Sequence, residues 1–147
     1  MDAHTIVLVA QAVASGMMAG IIWFVQVVHY PLFAAVGPAD RVPYAVANQR
    51  RTTGVVLPPM LVEAAAALWL ALRPPAEIGR WPAVTGLVLV ALLWLSTLAV
   101  QMPLHGRLAR DGDAATVRSL VRGNWPRTLL WTARAVLAAW MLATAAG

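Results

Sequence analysis

Few of the 147 residues could do chemistry, and those few are spread along the chain at about one or two per long apolar stretch. His29, Glu63 and His105 supply two imidazoles and a carboxylate, a donor set that would suit a non-haem iron, a copper or a zinc with open coordination positions. Histidines and carboxylates inside a four-helix bundle also build oxidising di-metal centres, although the Glu-x-x-His repeats of those proteins are missing here. A haem held by His29 and His105, with arginines meeting its propionates, is a variant of the same idea. Around such a redox metal, Gln26, Gln101, Asn124 and Arg127 would orient ligands or hold an anionic substrate or oxyanion. Tyr30 and Tyr44 could hydrogen-bond a phenolic substrate or supply a proton, and Trp94 and Trp131 could wall an aromatic pocket. Glu63 and Arg134 are candidates for a further reason. An ionisable side chain in hydrocarbon costs a few kcal/mol or more unless it is paired or wetted, so an intramembrane charge usually serves a function.

The elements that must position these residues are membrane spans. A chain that is 61% hydrophobic and 12% charged, with positive mean hydropathy, is not an ordinary soluble domain, in which roughly a quarter of residues are charged. Apolar runs extend over Ile6 to Tyr30, Thr53 to Leu72, Trp81 to Leu104 and Trp125 to Ala145. Each reaches the ~20 residues a helix needs to cross ~30 Å of hydrocarbon, and none shows the two-residue alternation of a barrel strand. The expected architecture is an all-α, integral-membrane, up-down four-helix bundle forming one domain over residues 1–147. Asp2 and His4 precede the first run, which is also too long for the core of a secretory signal, so it is read as a retained span. The absence of cysteine removes thiolate chemistry and thiolate metal ligation.

The net charge of +5 comes with arginine as the sole strongly basic residue type. Its sorting argues for topology rather than a nucleic-acid partner. Arg41, Arg50 and Arg51 lie between the first two runs and Arg107, Arg110, Arg118 and Arg122 between the last two, whereas only Arg73 and Arg80 lie in the middle loop. The positive-inside rule then places the two arginine-rich loops in the cytoplasm and both termini outside. Prolines punctuate the runs: Tyr30-Pro31 is expected to end the first, and Trp81-Pro82 to open the third. Asn124 is expected to cap the fourth, with Pro126 just inside and a short separate helix over Ala114 to Val121 before it. Trp81 and Trp125 read as interfacial anchors, and Gly16 and Gly20 as small-residue packing positions.

Each span shows one polar face. His4, Gln11, Ser15, Gln26 and His29 fall within a sector of about 60° on the first. Trp94, Thr97, Gln101 and His105 share a face of the third, and Asn124, Arg127, Trp131, Arg134 and Met141 one of the fourth. In an up-down bundle Gln26, His29, Glu63, Gln101, His105, Asn124 and Arg127 converge on the arginine-rich half. Depth leaves two arrangements open for Glu63. Counted from Thr53 it lies about 15 Å in, at ~1.5 Å per residue, level with Arg134 and able to pair with it. If the second helix instead starts at Pro58-Pro59, Glu63 rises towards the histidines.

The strings Val28-His29-Tyr30-Pro31-Leu32-Phe33, Pro58-Pro59-Met60 with Glu63, Gln101-Met102-Pro103-Leu104-His105 and Asn124-Trp125-Pro126-Arg127-Thr128 with Trp131 and Arg134 resemble a bacterial family of small four-span membrane proteins. That family is itself similar to the anthrone-oxygenase-like group. The resemblance covers the whole chain, although the fourth span departs from the oxygenase pattern. It implies a bacterial inner-membrane oxygenase acting on a lipophilic small molecule, polycyclic aromatic ones included, with His29, Glu63, His105, Asn124 and Arg127 as site residues. Two other classes compete. A proton- or ion-coupled binding or transport module would use a buried Glu63–Arg134 pair and, with so few spans, would need a homo-oligomer. A non-catalytic subunit of a membrane complex would use its polar residues only to satisfy one another.

Overall fold

Every apolar run forms a helix, and each helix runs further than hydropathy alone marks. In the computed structural model, which describes Asp2–Gly147, α1 is Ala3–Phe33, α2 Pro38–Leu72, α3 Arg80–Asp111 and α4 Ala114–Ala146. All four are long and apolar enough to cross a membrane. At 31 to 35 residues each they measure roughly 46–53 Å, longer than the ~30 Å of a hydrocarbon core. Large apolar side chains such as Val13, Phe24, Leu61, Leu95, Leu129 and Val136 are more than half exposed around the outside of the bundle. Such a continuous belt is the surface of a protein whose solvent is lipid.

The helices form a ring in which α1 packs on α2 and α4, and α3 packs on α2 and α4. Across the two diagonals, α1 to α3 and α2 to α4, the described backbones make no close approach. The middle of the ring is therefore filled by side chains alone. An apolar group at the end bearing the middle loop contains Leu8, Leu70, Ile78, Ala83 and Met141. A second, at mid-height, contains Met18, Ile22, Met60, Leu93 and Trp131; a third, at the arginine-rich end, contains Tyr30, Phe33, Leu108, Val117 and Leu120.

Several expected boundaries are corrected. Pro31 does not end α1. Instead Val25–His29 forms a π-helical turn, in which the Tyr30 N–H reaches back five residues to the Val25 carbonyl, and the helix continues to Phe33. The same device recurs in α3, where Thr97–Gln101 is π-helical, the Met102 N–H bonds to the Thr97 carbonyl, and Pro103 follows. A proline ring clashes with the carbonyl four residues back and supplies no N–H to it, so a wider turn just upstream lets the helix pass instead of stopping. Pro58 and Pro59 do not start a helix either; with Pro43 they lie inside α2. The Ala114 to Val121 segment is not separate but the first turns of α4, so Asn124 is mid-helix and Asp113 is the cap, accepting from the Ala115 N–H at 3.1 Å. Gly112 closes α3 in the left-handed conformation, at φ 61°, and its carbonyl accepts a hydrogen bond from Arg41 at 2.8 Å. Trp81 is exposed at the start of α3, whereas Trp125, expected at the start of the fourth helix, is exposed well inside α4 because that helix begins at Ala114. A Cβ at Gly16 or Gly20 would meet nothing within 4 Å, so neither glycine mediates a close helix approach.

Candidate functional site

The two π-turns place their polar residues around a cavity of about 340 Å³ in the arginine-rich half of the bundle. Its walls are mostly apolar: Met18, Ile21, Ile22 and Val25 from α1, Val56, Leu57 and Met60 from α2, Trp94, Leu98 and Met102 from α3. Its polar groups are His29 and Tyr30 from α1, Thr97, Gln101 and His105 from α3, Arg127 from α4, and Asn48, Gln49, Thr52 and Thr53 from α2. This is the size and character of a small-molecule site, in which apolar walls supply affinity and a few polar groups fix orientation.

Tyr30 and His105 meet across the bundle, with the phenol oxygen 2.9 Å from His105 Nε2. The His29 ring lies beside Tyr30, Phe33 and Tyr44, roughly parallel to Tyr44 at a centroid separation of 6.4 Å, and its Nε2 is buried without a partner. Gln101 is 2% exposed, and neither its amide nitrogen nor its oxygen is bonded within the protein. A buried amide with both ends free is rare, because each unmade bond costs about 1–3 kcal/mol. Arg127 is held from behind. Gln26 donates to the Val121 carbonyl at 3.2 Å and accepts from Asn124 at 2.9 Å, and Asn124 in turn accepts from an Arg127 Nη at 3.2 Å.

Glu63 and Arg134 are elsewhere. They form a fully buried ion pair that bridges the α2–α4 diagonal, where the backbones are too far apart to touch. The remaining two helices close round it. Gln11 of α1 accepts a hydrogen bond from Arg134, and Gly86 of α3 lies so close that a Cβ there would stand 3.2 Å from Arg134 Nη1. One residue from each helix thus meets in a single layer. Met60 and Trp131, about one turn towards the arginine-rich end, and Met18 and Leu93, about two turns, form an apolar plug between this layer and the cavity.

The expected metal set is therefore not assembled. Among the described residues no group of three His, Asp or Glu side chains is placed to hold a metal ion. The reason is the plug: α2 runs unbroken past Pro58-Pro59, which keeps Glu63 at mid-depth against Arg134 and out of the cavity wall. The residues present do not fit an iron or copper held by His29, Glu63 and His105. Of the other anticipated residues, Tyr30, Trp94, Gln101 and Arg127 line the cavity, whereas Gln26 and Asn124 support Arg127 and Trp131 belongs to the plug. Sequence reasoning missed Asn48, Gln49, Thr52 and Thr53, because polar residues ahead of an apolar run read as a loop. The signal was their spacing, which repeats at helical intervals and continues to Val56 and Met60.

Compared with family models, curated proteins and solved structures, the chain matches none.

Proposed function

We propose that the chain is an integral-membrane oxidoreductase of the oxygenase kind, acting on a lipophilic small molecule that lies in the cavity with its polar head at the Tyr30–His105–Gln101 end. The supporting observation is the cavity itself: an apolar chamber whose one polar end holds a hydrogen-bonded Tyr–His pair and a buried amide with no partner. The reaction class rests on the resemblance of the four motif strings. Gln101 would bind the head group, Trp94 would pack on the ring system, and the hydrogen-bonded Tyr30 and His105 would take a proton from a substrate hydroxyl placed beside them. Dioxygen, which dissolves well in hydrocarbon, is the oxidant that the resemblance implies. By the positive-inside rule this end faces the cytoplasm of a bacterial inner membrane.

The transport reading has less support, since neither Glu63 nor Arg134 lines the cavity. The test is oxygen uptake by detergent-purified protein supplied with a hydroxylated polycyclic substrate such as an anthrone. His105→Ala should lower the rate by about 10²-fold or more while the substrate still binds, and Tyr30→Phe should lower it less. A wild-type protein that binds the substrate yet consumes no oxygen, or a His105→Ala protein with an unchanged rate, would overturn the reaction; failure to bind any lipophilic probe would overturn the site.

A further inference from the structure

The charges around the cavity do not balance, and the imbalance names the ligand. Arg127 is 7% exposed and lines the chamber, and its bonded partner is the neutral Asn124. The chain has six acidic residues. Glu63 is committed to Arg134, in the only ion pair among the described residues. Asp2, Asp40, Glu77, Asp111 and Asp113 are all exposed. Arg127 is thus a buried cation for which the protein supplies no anion, and its Nε is also without a partner. A buried charge left unpaired is strongly unfavourable, and here the Gln26–Asn124 chain holds the guanidinium in place instead of neutralising it. Gln101, which lines the same chamber, offers a free amide.

A second hollow, of about 230 Å³, leads to the same place. It lies between α1 and α2, shares Ile21, Val25, His29, Asn48, Thr52 and Val56 with the main cavity, and is rimmed by Phe24 and Val55, which are exposed on the lipid side. Arg51 stands in its wall. The two hollows adjoin across a wall of mixed character, apolar at the lipid rim and polar at His29, Asn48 and Thr52, with Arg51 on the outer side and Arg127 on the inner.

We propose that the ligand is an acidic lipophile, a molecule with an apolar body and an ionised carboxylate, phenolate or enolate head, whose anion pairs with Arg127 and bonds Gln101, and which reaches the cavity sideways between α1 and α2. This rests on the cavity reading above and specifies the charge of its ligand. A charge-assisted bond to a fixed guanidinium in a water-poor site is worth about 1.5–3 kcal/mol, which converts to at least about tenfold in affinity.

Binding of 2-naphthoate and of its methyl ester to the detergent-purified chain, followed by tryptophan fluorescence, tests it. Naphthoate should bind at least about tenfold more tightly than the ester. Arg127→Gln should erase the difference by weakening naphthoate alone, and Arg51→Gln should slow naphthoate association without changing the affinity for the ester. Equal affinities in the wild type, or a preference that survives Arg127→Gln, would overturn the anionic head while leaving the cavity reading intact. If neither compound binds, the cavity reading falls and this proposal with it. The wild-type comparison decides even if Arg127→Gln fails to fold, and retained ester binding shows that it has folded.

Discussion

Replacing Glu63 by Leu should be among the most damaging single changes available to this chain, and pairing it with a change at Arg134 should undo most of the damage. Both side chains are fully buried, and the pair bridges two helices whose backbones do not touch. Removing the carboxylate leaves the guanidinium with one neutral acceptor, Gln11, and a wall of helix at Gly86. Unpairing a buried charge in this way costs about 3–5 kcal/mol, in line with the ~4 kcal/mol that two charges ~4 Å apart exchange at an effective dielectric of about 20. Replacing both by apolar residues of similar bulk, Glu63→Leu with Arg134→Met, removes the desolvation cost together with the attraction, so the double variant should fall within about 1–2 kcal/mol of the wild type. Reversible unfolding in mixed micelles, read by far-ultraviolet circular dichroism, measures all four corners of the cycle. Because the Met18–Met60–Leu93–Trp131 plug separates this layer from the cavity, the double variant should also bind naphthoate as the wild type does. Single-variant losses below ~1 kcal/mol, or a coupling near zero, would refute the reasoning. A stable double variant that no longer binds or turns over ligand would return the pair to function.

Two further outcomes follow from neighbouring contacts. Gly86→Ala places a methyl 3.2 Å from Arg134 Nη1 and 3.3 Å from Cζ, and a guanidinium tied to Glu63 and Gln11 has little room to yield, so the same unfolding assay should show a loss of about 1–3 kcal/mol. Asn124→Ala removes the bridge between Gln26 and Arg127 and should cost about 1–3 kcal/mol; in the fluorescence assay it should weaken naphthoate but not the methyl ester, since Arg127 alone loses its positioning.

The solvent, the helix count and the general location of the polar groups were legible in the residues alone, because those depend on how many apolar residues run together and on which side of a helix a glutamine falls. It also narrowed Glu63 to two positions, one beside Arg134 and one beside the histidines, without choosing. That choice was made by the tertiary structure, through the continuity of α2: hydropathy cannot say whether a Pro-Pro pair opens a helix or is carried within one, and the answer depends on neighbours that stabilise the interrupted turns. The π-turns before Pro31 and Pro103 leave no mark in hydropathy for the same reason, nor does the phase that brings Tyr30 to His105. Gly86 carried no visible signal at all, since its role is to leave room for a side chain more than forty residues away. Charge balance around Arg127 likewise emerges only in three dimensions: a sequence counts acids and bases, but only packing decides which of them share a dielectric environment and which are left alone.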